Sequence, residues 1–231
     1  MPKKRSKRYK AAAAMVDSMA VYSIEDAVSL VKKFPAPKFD QTVTLTFRMG
    51  VDPRQSDQMV RGTCPLPHGS GKDVRVLVFA EGEAAAAAKD AGAEFVGYEA
   101  LIKEVLGGFM DFDAVIATPS AMAEVRKLGR QLGPRGLMPN PKTGTVTDDT
   151  AGAVKAVKAG RIDFKLDKNG NISVPIGKLS FEDIALIENG KAVADSITGA
   201  RPATAKGIFL QKGALTATMV PGISIDLSQW H

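Results

Sequence analysis

Between Thr42 and Phe47 the chain alternates strictly, with Val43, Leu45 and Phe47 apolar and Thr42, Thr44 and Thr46 polar. That period of two predicts a strand with one buried face. Upstream, Ile24, Ala27, Val28, Val31 and Phe34 recur at helical spacing behind Ser23, with Asp26 three residues on from that cap. A helix is predicted there, stopped by Pro35 and Pro37. A single strand needs partners, and none is near in sequence.

The middle of the chain changes pattern. RVLVF at Arg75–Phe79 is a nearly continuous apolar run, followed by the helix former GEAAAAAKDAGAE, then FVG, then a helical pattern from Glu99 to Leu106. A second apolar run, Ala114–Ala117, leads to a third helix predicted from about Ser120 to Leu132. Short buried strands alternating with helices require a parallel sheet covered on both faces.

Beyond Gly160 the antiparallel pattern returns. RIDFKLD and NISVPIG flank Lys168, Asn169 and Gly170, and an Asn-Gly pair between alternating segments predicts a hairpin. A helix follows from about Ser180, with Gly190 inside it at a cost of ~1 kcal/mol relative to Ala. The alternating segment GIFLQKGALTATMV closes the pattern. These C-terminal strands are the expected partners of the strand at Thr42. The predicted fold is therefore α/β with two domains: a discontinuous α+β-type domain with an antiparallel sheet, residues 1–67 with 160–231, and an inserted Rossmann-like three-layer domain, residues 68–159. Two short links join them, at Pro67, His68 and Gly69 and at Ala159 and Gly160; glycine and loop residues there suit a hinge.

Charge adds a location. The whole chain carries 31 bases against 25 acids, net +6, and Lys3, Lys4, Arg5, Lys7, Arg8 and Lys10 supply that entire excess. Such a basic arm reads either as a solvated tail or as a nucleic-acid contact, and any such surface elsewhere must work through local arrangement. No long apolar run follows the arm, so neither a membrane span nor secretion is expected, and the default compartment is the cytoplasm. One cysteine, Cys64, and two histidines, His68 and His231, supply neither a disulfide nor a metal cluster; no metal and no cofactor are expected.

Catalytic patterns fail individually. GSGK at Gly69–Lys72 lacks the earlier glycine, the following Ser or Thr and the preceding strand of a phosphate loop. The turn at Ala80–Glu83 has a single Gly82 flanked by Glu81 and Glu83, against the three glycines of a dinucleotide site. Two punctuated stretches remain, DPRQSDQMVRG (Asp52–Gly62) and GPRGLMPNPKTGT (Gly133–Thr145), which read as functional loops or as structural ones.

These two stretches, with LPHGSGK, MDFDAVIATP, KAGRIDFKLDKNG and AKGIFLQKGALTATM, occur in the order seen in the bacterial ribosomal protein L-one family, which the chain resembles over essentially its whole length. The resemblance implies the discontinuous architecture derived above and no enzymatic activity. It implies as partners the ribosome, large-subunit rRNA in the mobile stalk, the exit-site tRNA whose release the stalk assists, and the protein's own-operon mRNA, whose translation it represses. It also implies a ribosome-associated, cytoplasmic protein, monomeric when free.

By its motifs the resemblance places RNA contacts at Lys38, Phe39, Thr42, Thr218 and Met219, with Arg54, Arg61, Arg161, Lys165 and Lys168 in support. A strand threonine suits 2′-hydroxyl and base-edge contacts, an exposed aromatic suits stacking, and the bases suit phosphates. From the residues alone, Phe39 and Met219 read instead as ordinary core positions. Three departures stand out: Met59 where the family usually has Asn, Val220 where it has Gly, and a poorly matched stretch from Glu182 to Gly199. Val220 is expected to add a side chain at the RNA surface. The rival reading is a nucleotide-dependent enzyme built on the inserted domain, which rests on fold alone.

Overall fold

The computed structural model describes residues 5–230. Lys3 and Lys4 of the basic arm and His231 lie outside the described residues. The chain forms two compact units, one running to Gly71 and resuming at Ile162, the other spanning Lys72–Arg161.

The first unit opens with α1 (Lys7–Ala14), capped by the Ser6 hydroxyl accepting the Tyr9 N–H at 3.2 Å. Part of the basic arm is thus helical, and Ala12 seats it on the core. Ser23 caps α2 (Ile24–Lys32) as predicted, accepting the Asp26 N–H at 3.0 Å. Then come β1 (Thr42–Met49) and β2 (Arg61–Pro65). β2 carries the end of the Asp52–Gly62 stretch and has no strand signal of its own in the sequence.

The inserted unit holds β3 (Val76–Phe79), α3 (Gly82–Asp90), β4 (Phe95–Gly97), α4 (Glu99–Leu106), β5 (Ala114–Ala117), α5 (Met122–Val125), α6 (Gly129–Leu132) and α7 (Thr150–Lys158). β3 is the centre of a parallel sheet of order β4-β3-β5. Its side chains alternate between two cores. Leu77 and Phe79 pack with Leu101, Val105, Leu128 and Leu132, while Val76 and Val78 pack with Ala88, Val154 and Val157. Three layers result. The predicted single helix from Ser120 is instead α5, a 3₁₀ turn at Arg126–Leu128, and α6. Gly129, a poor helix former, sits at the break, and Val125, Leu128 and Leu132 reach the core regardless. The Gly133–Thr145 loop ends by adding a short parallel neighbour to β5, Ala117 donating to Thr145 O at 3.0 Å and Thr147 donating to Ala117 O at 3.1 Å.

In this unit Asp113 binds Lys72 at 2.6 Å and Arg75 at 3.2 Å. The Lys72 ammonium first, then Arg75, hold its carboxyl below the usual carboxylate range. A lowered folded pKa gives stability that is present above the ordinary carboxyl range and is lost as pH falls through the folded value. Melting followed from pH 6 down to about pH 2 should show a stability loss beginning below about pH 4 that Asp113→Asn makes smaller; identical acid profiles would refute the assignment.

The chain returns through β6 (Arg161–Lys165), β7 (Asn171–Lys178), α8 (Asp183–Gly199), β8 (Leu210–Ala217) and β9 (Ile223–Ile225). The predicted hairpin of β6 on β7 does not form. The turn itself closes, Asp167 N–H donating to Asn171 O at 2.8 Å and its carboxylate accepting from Asn169 and Asn171. The strands then part. β6 pairs with β2, while β7 takes β1, whose seven paired residues from Thr42 to Arg48 exceed what a local hairpin of β6 offers. β1 also pairs antiparallel with β8, so the order is β7-β1-β8-β9 and both flanks of the strand at Thr42 come from the C-terminal part of the chain. Its buried face presents Val43, Leu45, Phe47, Ile172, Val174, Leu215 and Ile223 to α2 and α8. Gly213 lies opposite Phe47, and a Cβ there would come within 2.8 Å of Leu227. Gly190 in α8 has no such reason, since an added Cβ would meet only ordinary contacts at 3.8 Å or more.

Candidate nucleic-acid interface

The same alternation that buries one face of the sheet exposes the other. β1 turns out Thr42, Thr44, Thr46 and Arg48; β7 adds Asn171, Ser173 and Lys178, β8 adds Lys212 and Thr216, and β9 adds Ser224. Hydroxyls thus tile a twisted surface, and the outward positions of these four strands hold no Asp or Glu. Each hydroxyl both donates and accepts, and a rigid strand fixes its position. Thr46 Oγ1 and Ser173 Oγ lie 3.0 Å apart, and Lys178 Nζ donates to Thr42 Oγ1 at 3.0 Å.

Thr42 and Thr218, 176 residues apart, meet at one end of this face. The Thr218 N–H donates to Thr42 O at 3.1 Å and its hydroxyl reaches the same oxygen at 3.4 Å. Gln41, only 2% exposed, donates from Nε2 to Thr218 O at 2.5 Å. Met219 follows in the left-handed region at φ 65°, with 66% of its surface exposed. Phe39, three residues ahead of Thr42, is 47% exposed, and Lys38 is exposed beside it. The core reading of Phe39 and Met219 is therefore overturned: both are solvent-facing apolar groups, available to cover a base or ribose.

Val220 departs from the expectation attached to it. Its side chain is half-buried and packs against the terminal core. Met219, not Val220, takes the left-handed turn position.

The supporting bases lie elsewhere. Lys168 is exposed in the turn beside the other end of β1, where Met49 N–H donates to Gly170 O at 2.8 Å. Arg48 and Lys212, which pair across β1 and β8, occupy that end too; the sequence reading passed over them, although the period of two contained them. Arg54 is exposed in the loop after β1, its N–H bonded to the Asp52 carboxylate at 3.0 Å. Half-buried Arg61 and exposed Lys165 belong to the separate β2–β6 pair. Arg161 donates to Thr143 O at 2.7 Å, and its Nε is buried without a hydrogen-bond partner. Of the proposed hinge residues, Pro67, His68 and Gly69 fall in the terminal unit, and Ala159 and Gly160 in the inserted one.

Fold and face together define a two-unit α/β protein that offers a broad polar sheet surface and a flanking pair of exposed apolar side chains. Comparison with known proteins gives that class a family. A model of the "Ribosomal protein L1p/L10e family" matches residues 31–221. A protein called "Large ribosomal subunit protein uL1" from Bifidobacterium longum subsp. infantis is 57% identical over 96% of this chain and 97% of its own length. Proteins of the same name from B. longum strains DJO10A and NCC 2705 are 56% identical over the same shares. The chain belongs to the ribosomal protein L1p/L10e family.

Proposed function

We propose that this chain is a structural, non-catalytic constituent of the large ribosomal subunit that binds rRNA through the hydroxyl-rich face of its terminal unit. The observation that carries the reading is the union of Thr42, Thr218 and Met219 at one end of a sheet face free of carboxylates, in a chain whose relatives carry a large-subunit name. RNA readers of this kind touch 2′-hydroxyls and unstacked bases, which a threonine-rich strand surface with Phe39 and Met219 at its margin suits. Arg48, Lys212, Lys168, Arg54, Arg61 and Lys165 supply phosphate contacts that set position and salt dependence.

Within that role, the protein works in the mobile stalk at the exit site. Bending between its units assists departure of deacylated tRNA, and the same face binds a similar structure in its own mRNA to repress translation. It is ribosome-associated and cytoplasmic, and monomeric when free. No helix among the described residues is long and apolar enough to cross a membrane.

The test is titration of a stalk rRNA fragment by calorimetry. Thr218→Val keeps the shape and removes the hydroxyl; a neutral hydrogen bond contributes about 0.5–1.5 kcal/mol, so affinity should fall about 2- to 12-fold with folding intact. Equal affinity for the two proteins would remove Thr218 from the reader, and no saturable rRNA binding by the full chain would defeat the function itself.

A further inference from the structure

Between Glu124 and Asp148 the inserted unit holds five bases and no carboxylate side chain: Arg126, Lys127, Arg130, Arg135 and Lys142. This run takes in the whole Gly133–Thr145 stretch, to which the hydroxyl-rich sheet gives no role. Its inner side is ordinary core. Val125, Leu128 and Leu132 are fully buried, and Gln131 donates from Nε2 to Leu106 O at 2.9 Å. The outer side is different: Arg126, Gly129, Arg130 and Gly133 recur at spacings of three and four, the spacing of one helical face, and both arginines are exposed. The caps of α5, the 3₁₀ turn and α6 all lie in the right-handed helical region, so the face continues across the break.

At its end α6 runs into a closed turn, Gly136 N–H donating to Gly133 O at 3.0 Å and Leu137 N–H to Leu132 O at 3.1 Å. All four residues of the turn are exposed, and Pro134 fixes the backbone just ahead of Arg135. Leu132 and Leu137 anchor this frame on the core. The arginine charges are uncommitted. Lys127 pairs with Glu124 at 2.6 Å, whereas no ion pair among the described residues engages Arg126, Arg130 or Arg135. Gly129 leaves room between them: its φ of −55° and ψ of −31° suit any residue, and an added Cβ would meet nothing within 4 Å. Neither backbone angle nor packing therefore calls for a glycine there.

We propose that Arg126, Arg130 and Arg135 form a second RNA site, which takes the phosphate backbone of a structured RNA without reading its sequence. A guanidinium fork binds two phosphate oxygens at once, and three of them on a stiff frame match a repeating anionic chain. Between the arginines the face offers only glycine and proline. It has no hydroxyl or amide side chain to read a base edge and no aromatic on which a base could stack. A protein partner would need an apolar or aromatic anchor, which this face lacks as well. The open position at Gly129 lets a sugar-phosphate chain approach the helix backbone closely. This site differs in kind from the threonine-rich sheet face of the terminal unit, and its existence does not depend on that face.

The probe is an RNA hairpin of sequence unrelated to ribosomal RNA, titrated with the full chain from about 50 to about 200 mM salt. A variant carrying Arg126→Gln, Arg130→Gln and Arg135→Gln should bind it at least about tenfold more weakly at the low-salt end. The slope of log affinity against log salt should shrink by roughly two to three, as the loss of three phosphate contacts requires. A matched variant with Lys89→Gln, Lys103→Gln and Lys155→Gln removes the same charge from exposed positions elsewhere in the inserted unit, and should lose less than about threefold. Unchanged affinity and slope in the arginine variant overturn the site; an equal loss in the lysine variant reduces it to bulk charge and overturns it too. Arg135→Gln alone, in an exposed turn, keeps the test decisive should the triple variant not fold. It should remove roughly one from the slope, and a slope that stays where it was overturns the proposal.

Discussion

Replacing Phe47 with alanine is expected to lower the unfolding free energy of the terminal unit by about 3–5 kcal/mol, the range for emptying a large buried aromatic site. Phe47 is fully buried in the central strand, paired with Ile172 on one side and Gly213 on the other. Gly213 has no side chain with which to fill the cavity, and a one-residue adjustment of register would turn every threonine of β1 inward. The loss should appear in chemical denaturation as an early transition of the terminal unit, with rRNA binding lost alongside it. A shift under 1 kcal/mol would mean that the core relaxes around the hole and that β1 is not the keystone of the sheet.

Phe39→Ala carries the second-largest expected effect. An exposed aromatic on which a base stacks contributes ~1–3 kcal/mol, so rRNA affinity should fall roughly 5- to 150-fold while thermal stability barely moves, because the ring is half in solvent. The salt dependence should distinguish it from a charge effect. Affinity plotted against salt should keep its slope in Phe39→Ala, whereas Lys38→Ala should flatten the slope if Lys38 touches a phosphate. A Phe39→Ala protein that melts early yet binds normally would return Phe39 to a packing role.

Much of the architecture was legible because it depends on local periodicity. Ser23 with Asp26 started α2 where the capping pattern put it, and the strict alternation of β1 announced one buried and one open face. The apolar runs at β3 and β5 announced a sheet covered on both sides, since a strand with no polar face has nowhere to meet water. The predicted hairpin failed for a tertiary reason. The Asn-Gly turn at Gly170 formed, but the identity of each strand's neighbour is a competition among all strands, and β1 outbid the local partner of β7. β2 and β9 are short strands whose pairing partners supply the order their own residues do not announce.

The candidate site divides in the same way. Phe39 and Met219 are apolar by type, so composition alone assigned them to the interior; only the packed chain shows both facing solvent. Arg48 and Lys212 were readable by period but became interesting only when pairing put them side by side. Asn189, buried in α8 and bonded to His68, Gly69 and Ile176, lay in the stretch with least resemblance to the family, and a buried amide leaves no mark in a sequence until its three partners are seen.

By itself, then, the sequence determined most of the longer periodic elements, such as α2, β1 and the runs of β3 and β5, which face of β1 would be wet, and where the basic excess lies, because these follow from spacing and residue type over a few turns of chain. The tertiary structure alone decided which strands became neighbours, that Thr42 and Thr218 share one end of a face, and that a single amide in α8 meets both His68 and Gly69. Many of those contacts, β1 on β7 and β8, Thr42 with Thr218 and His68 with Asn189 among them, join residues more than 100 positions apart, and their free energy depends on which of many long-range pairings buries the most surface while leaving the fewest polar groups unbonded.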